Sequence, residues 1–315
     1  MGFFASLINS MPSAVAQGLI WGIMAIGVYL TYRILDVADL TVDGSLGTGG
    51  AVCVVMVLNG APVGLALLAA TAAGMLAGLV TGLFHTACGI PAILAGILTQ
   101  LALYSVNLRI MGFGTGGGKA NLPISVDKYS LLVSARYVRN VALNNPILIL
   151  TIFCAVLIAV LYWFFGTELG CSLRATGANQ NMARAQGINT NFTKVLGLMI
   201  SNGLVALAGG LLAQYQGFSD INMGRGAIVI GLAAVIIGEV IFSRIFRNFA
   251  LKLLSAVIGA IIYYIVMVFV LRLGLSTDDL KLLTALVVAL FLTIPYWKGK
   301  YFTKTSVKKG EKNHA

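Results

Sequence analysis

The sequence predicts an all-α, polytopic integral membrane protein, and three observations carry that prediction. Of the 315 residues, 59% are hydrophobic and only 10% charged, with a mean hydropathy of +0.94. Soluble globular chains carry roughly 25% charged residues, so a soluble fold is excluded. The apolar residues also come in long runs, including 65 consecutive positions between Asp43 and Arg109 without one Asp, Glu, Lys or Arg. Finally, most runs approach the ~20 helical residues that cross a hydrocarbon core, and the short alternating segments of a barrel are not seen.

Taken in order, residues 11–32 form the first span, too long for the core of a cleaved signal and without a preceding Lys or Arg. Turn signals at L-N-G-A-P (58–62) and H-T-A-C-G-I-P (85–91) divide the uncharged run into 44–58, 63–84 and 92–108. The first piece is short, as expected of a half-span after a broken segment. Later runs are 146–165, 195–214, 226–242, 251–271 and 282–296. Whether 226–242 crosses fully or re-enters is left open. The sum is about nine transmembrane or half-spanning helices in one domain, 1–297, followed by a basic tail, 298–315.

An odd number of crossings places the termini on opposite sides. A cytoplasmic C-terminus and an external N-terminus put 13 of the 21 Lys/Arg inside: Arg33, Arg174, Arg184, Lys194, Arg244, Arg247, Lys252 and six tail lysines. Those six (Lys298, Lys300, Lys304, Lys308, Lys309, Lys312) follow the last apolar run, where anionic membrane lipid favours cations. The net charge of +11 therefore reads as a lipid signal, with no nucleic-acid partner expected. Cys53, Cys88, Cys154 and Cys171 lack metal-ligand spacing and read as small core residues.

A weak inverted repeat is visible. L-D-V-A-D-L-T-V-D-G after the first span aligns with G-F-S-D-I-N-M-G-R-G after the sixth, placing Asp39 on Asp220. Each segment follows a long span and precedes a short glycine-rich one, a pattern of broken helices around an alternating-access path.

Asp36, Asp39 and Asp43 form the densest acidic cluster. Acids at membrane depth point to function; the competing reading is a wet vestibule with Asp39 or Asp43 capping the next helix and Arg33 nearby. Glu239 is a path residue or a partner for Arg244 or Arg247. Gly112, Gly114 and Gly117 satisfy G-x-G-x-x-G, but no strand precedes them. A Walker A loop fails at Phe113 and Ala120. Gly18/Gly22 and Gly74/Gly78/Gly82 permit close helix contacts. No metal-ligand or catalytic constellation is found.

Residues 167–194 are a polar stretch between two spans, much longer than a turn needs, with a short surface helix expected over 179–186 and Gly177 and Gly187 flanking it. A helix lying flat at a membrane face is a natural socket for a soluble partner. Within it, G-C-S-L-R-A-T-G-A-N-Q-N-M-A-R-A-Q-G-I-N (170–189) closely resembles the coupling loop of bacterial ABC importer permeases of the branched-chain amino-acid and ribose type. The resemblance extends over nearly the whole chain. It is strongest to a subgroup with L-D-x-A-D-L-T-V-D-G-S, here residues 35–45; typical members carry an N-x-A-H-G-like sequence there, so their substrates are not carried over.

That resemblance implies a multi-pass permease of the bacterial inner membrane, not itself an enzyme, importing a small solute such as an amino acid. It implies a separate cytoplasmic ATPase holding ATP and Mg, docked on 167–194 through Arg174, Ala175, Gly177, Asn179, Met182, Arg184, Gly187, Ile188 and Asn189. It also implies an external substrate-binding protein and a second permease copy in a homodimer, with no cofactor on this chain. The translocation path is expected to involve Asp36, Asp39, Asp43, Ser45, Asp220, Asn222 and Glu239. The alternative is an ion-coupled secondary carrier using Asp36, Asp39, Asp43 and Glu239.

Overall fold

Hydrophobic runs and helix boundaries coincide closely in the structure, a computed structural model that describes residues 3–114, 117–125, 128–129, 131–138, 145–242, 245–246, 248–272 and 280–297. The first helix, α1 (Phe3–Tyr29), continues into a π-helical turn, Leu30–Ile34, in which Leu35 N–H donates to Leu30 O at 3.0 Å. It is followed by α2 (Val42–Leu58), α3 (Val63–Thr86), α4 (Ala92–Met111), α5 (Pro146–Phe165), α6 (Glu168–Ala178) and α7 (Gln180–Ala185). The last four are α8 (Thr190–Gln216), α9 (Ala227–Phe242), α10 (Phe249–Arg272) and α11 (Leu280–Trp297). Local chemistry sets the ends. Asn145 accepts from Ile147 N–H ahead of Pro146 at the first helical position of α5, and Gly217, at φ 80°, terminates α8.

Six described helices are long and apolar enough to cross a membrane, whereas α2 and α9 have 17 and 16 residues. Of the about nine transmembrane or half-spanning helices expected, six are thus long and apolar enough to cross, while α2 and α9 are the shorter apolar helices that follow the two breaks. Cys53 and Cys154 are buried as expected, but Cys88 and Cys171 are exposed, since both lie at helix ends.

α1 with its π turn and α8 form the centre. Their apolar stretches are 89% and 72% buried within the subunit, against 22% for α5. They run antiparallel: Ser13 and Tyr215 hydroxyls meet at 3.0 Å near one end, Ser201 Oγ donates to Gly27 O at 2.8 Å, and Leu35 packs on Gly197 near the other.

The expected inverted repeat is present in the packing. α2 runs alongside α8 in the same direction, Ser45 facing Asn202 and Cys53 facing Gln214. α3 returns along α8 with Gly74, Gly78 and Gly82 set against Asn202, Leu198 and Val195. In the second half α9 runs with α1, Gly231 against Val28, and α10 returns along α1 with Gly22 against Val257 and Gly18 against Ile261. Exchanging α1 with α8, α2 with α9 and α3 with α10 maps this packing onto itself with directions reversed. Glycines make it possible: a Cβ on Gly18 would lie 2.7 Å from Ile261 Cα. Without a hydrophobic drive between helices in lipid, such close approach supplies the cohesion.

The two breaks re-enter the bundle. Residues 35–41 run from the α6–α7 end inward to Asn202, roughly 18 Å up α8 from Thr190 at 1.5 Å per residue. Residues 217–226 re-enter from the opposite end, where β1 (Asn121–Pro123) pairs antiparallel with β2 (Phe218–Asp220). This pairing holds residues 121–123 of the connection between α4 and α5 against the second break.

Candidate functional site

The polar segment between α5 and α8 is two helices rather than one. Thr167 Oγ1 accepts from Gly170 N–H to start α6, and Asn179 leaves the helical region (φ −159°) and accepts from Met182 N–H to start α7. Gly187 (φ 81°) ends α7 in the left-handed region that only glycine adopts freely, with Ile188 N–H on Ala183 O at 3.0 Å. Asn189 then caps α8 through Asn191 and Phe192 N–H. Asn179, Gly187 and Asn189 of the sequence signature are therefore helix punctuation.

The signature arginines tie this segment to the bundle. Arg184 Nε donates to Thr190 Oγ1 at 2.8 Å, joining α7 to the first residue of α8. Arg174 lies over the Phe249 ring, 5.5 Å from its centroid, joining α6 to α10. Gly177 packs against Ile34 O and Leu35 at the end of the π turn, while the Ala175 carbonyl receives the Asn179 N–H that closes α6. Met182, by contrast, is 50% exposed, with Leu169 and Phe192 similarly open. An exposed apolar residue in a polar stretch was the signal for Leu169 and Phe192.

Asp39 is buried at the head of the first break. Its Oδ1 accepts from Thr41 N–H at 2.9 Å and its Oδ2 from Asn202 Nδ2 at 2.6 Å; Ser45 Oγ donates to Asn202 Oδ1 at 2.6 Å. The Thr41 and Thr81 hydroxyls meet at 2.7 Å, extending the network to α3. Asp220, the aligned residue of the second break, makes the same turn: Oδ1 accepts from Asn222 N–H at 2.7 Å, two residues ahead. Asp220 and Asn222 sit nearer the surface, Asp220 also accepting from Asn121 Nδ2. Asp36 is exposed and adopts φ 53°, a left-handed position that Asp tolerates better than most residues, where the chain leaves the π turn.

Asp43 caps a helix, though not its own. Its Oδ2 accepts from Gly226 N–H at 2.9 Å and its Oδ1 from Ile228 N–H at 3.0 Å, so it closes the N-terminus of α9. The residues just before α9, Gly224, Arg225 and Gly226, carry no capping oxygen, and a carboxylate from the other half supplies it. Glu239 pairs with Arg33 at 3.0 Å. The expected pairing with Arg244 or Arg247 falls on residues outside the described ones; the inverted repeat sets α9 beside α1, which brings Arg33 to Glu239. His85 meets Ile90 O at 2.9 Å through Nδ1 and Lys194 Nζ at 3.5 Å through Nε2.

Beside Asp43 a cavity of about 290 Å³ opens between α2, α4 and the second break, with Gln100, Tyr104 and Asn107 of α4 and Arg225 on its walls. A Cβ on Gly44 would lie 2.9 Å from Leu103, so glycine lets α4 close over α2 here. Of the expected path residues Asp43 alone lines this cavity; Asp39 and Ser45 spend their hydrogen bonds inside the subunit. Sequence reading missed the α4 wall, although Gln100, Tyr104 and Asn107 fall at i, i+4 and i+7, a polar stripe on an apolar helix.

Residues 10–294 match the family described as branched-chain amino acid transport system / permease component. A tyrosine transport system permease protein of Clostridioides difficile (strain R20291) is 41% identical over 284 residues, covering 90% of each chain. Uncharacterized protein RP368 of Rickettsia prowazekii (strain Madrid E) is 37% identical over 289 residues, covering 90% of this chain and 97% of that one. An autoinducer 2 import system permease protein of Yersinia pestis (strain Pestoides F) is 32% identical over 241 residues, covering 76% and 64% respectively.

Proposed function

The chain belongs to the branched-chain amino acid transport system / permease component family, and from that membership we propose that it serves an ATP-driven, binding-protein-dependent importer of an amino acid. It is a multi-pass membrane permease. A cytoplasmic ATPase with its own ATP and Mg docks on α6–α7, an external binding protein delivers solute at the β1–β2 end, and two copies of the chain form the path. The N-terminus is external and the C-terminus cytoplasmic. The relative named for tyrosine transport makes an aromatic amino acid the first cargo to try.

The observation that carries this reading is how α6–α7 is held. Its outer surface is apolar at Met182, while its inner side grips the first residue of α8 through Arg184 and the end of α1 through Gly177. α1 and α8 are the leading helices of the two inverted halves. A push on the α6–α7 pair therefore reaches both halves at once, as alternating access requires. Three of the four acids expected of an ion-coupled carrier are otherwise engaged, Asp39 and Asp43 in hydrogen bonds and Glu239 with Arg33, while Asp36 is exposed.

The test is uptake of radiolabelled amino acids into proteoliposomes holding the chain with its partner ATPase and binding protein. ATP-dependent accumulation is expected. Accumulation driven by an ion gradient without ATP would refute the reading.

A further inference from the structure

We infer that the cavity between α2, α4 and the second break is the solute subsite of the path, built for a zwitterionic α-amino acid with an apolar or aromatic side chain. The inference rests on the permease reading above and adds the residues and the ligand chemistry.

Its chemistry is asymmetric in the way a zwitterion needs. Arg225 borders the cavity and takes part in no ion pair among the described residues. The nearby carboxylate of Asp43 is already spent on Gly226 and Ile228 N–H. A solute carboxylate is the partner that a cation without an ion pair recognises.

The second group is Asn107. It is only 2% exposed, and its Nδ2 reaches Gly44 O at 3.4 Å, yet its Oδ1 has no hydrogen-bond partner. Buried acceptors without a donor are rare and call for an explanation. Reversing the amide would place oxygen against the Gly44 carbonyl, so the orientation is set by its neighbour. A solute ammonium supplies the missing donor. Tyr104 adds an apolar, π-bearing wall to the same cavity.

Size and position agree. About 290 Å³ lies at the small end of ligand cavities, roughly 300–1,000 Å³, which suits an amino acid better than a larger solute. The cavity also lies where α2 and α9 begin, and transporter sites recur at such mid-depth helix breaks.

The test compares wild type, Arg225→Gln, Arg225→Lys and Asn107→Leu in proteoliposomes containing permease, ATPase and binding protein, with uptake normalised to assembled complex. The probes are radiolabelled L-tyrosine and a pool of the twenty amino acids. Arg225→Gln is expected to lower uptake at least ten-fold, Arg225→Lys to keep more than a third, and Asn107→Leu to lower it at least five-fold. Wild-type uptake in Arg225→Gln and Asn107→Leu would overturn the subsite. So would equal loss in Arg225→Lys and Arg225→Gln, because charge would then not matter. Failure of the wild-type complex to import any amino acid, with ATP hydrolysis still stimulated by its binding protein, would refute the ligand class. Absence of ATP dependence would remove the permease reading itself.

Discussion

Replacing Gly177 with Ala tests the joint between the α6–α7 segment and the first half of the bundle. Gly177 lies in the last turn of α6, where a Cβ would fall well inside contact distance of Ile34 O and 3.0 Å from Leu35 Cα. Both are backbone atoms, so no side-chain rotation relieves the overlap, and α6 must move away from the π turn. Overpacking of this kind costs about 1–3 kcal/mol. Helix propensity alone would have stabilised the same substitution by up to ~1 kcal/mol, so sign as well as size is informative. In detergent the variant should melt about 2–6 °C below wild type, and ATP-dependent uptake should fall further than stability does. Gly64→Ala is the control, because Gly64 lies in the first turn of α3 with open space at its Cβ position; it should melt at or slightly above wild type. If Gly177→Ala melts with the control, the joint is not the tight contact described.

Further outcomes follow from the polar network and the caps. Asp39→Ala leaves Thr41 N–H unpaired and Asn202 Nδ2 short of a partner, costing roughly 2–4 kcal/mol; Asp39→Asn should cost less, and adding Asn202→Asp should recover part of the loss in a double-mutant cycle. Asp43→Ala removes both bonds to α9 and should cost about 1–2 kcal/mol, with faster hydrogen exchange at Gly226 and Ile228. Glu239→Gln breaks a pair whose arginine is 60% exposed, so melting should shift by less than ~1 kcal/mol equivalent and transport should persist. Loss of transport in Glu239→Gln with the fold intact would favour the ion-coupled alternative.

Much of the architecture was legible because lipid leaves few choices: a long apolar run must be a helix, and Pro62, Pro91 and Pro146 mark three helix starts. The 167–194 segment was legible through its length and its asparagine and glycine punctuation. The helix expected over 179–186 is α7; α6 was not expected, because Gly170, Thr176 and Gly177 lower the helix propensity of its sequence. The role of Asp43 was hidden for a different reason. Its own helix offered a plausible capping site, whereas the α9 N-terminus that it serves is 183 residues away. Arg33 and Glu239 were separated in the same way. The aligned Asp39 and Asp220 showed that the breaks correspond, but not that one is buried on Asn202 and the other lies near the surface beside Asn121. The α4 stripe was in plain view at helical spacing and passed over because it sits in an uncharged run.

The central claim is that a separate ATPase drives this permease through α6–α7. Its most direct test is purification of the tagged chain from native membranes, with mass spectrometry of what accompanies it, for wild type and Met182→Glu. The account predicts an ATPase subunit with wild type, lost or strongly depleted in Met182→Glu while the chain itself remains folded and membrane-inserted. A wild-type chain that arrives without an ATPase and still accumulates solute in ATP-free liposomes under an ion gradient would contradict it.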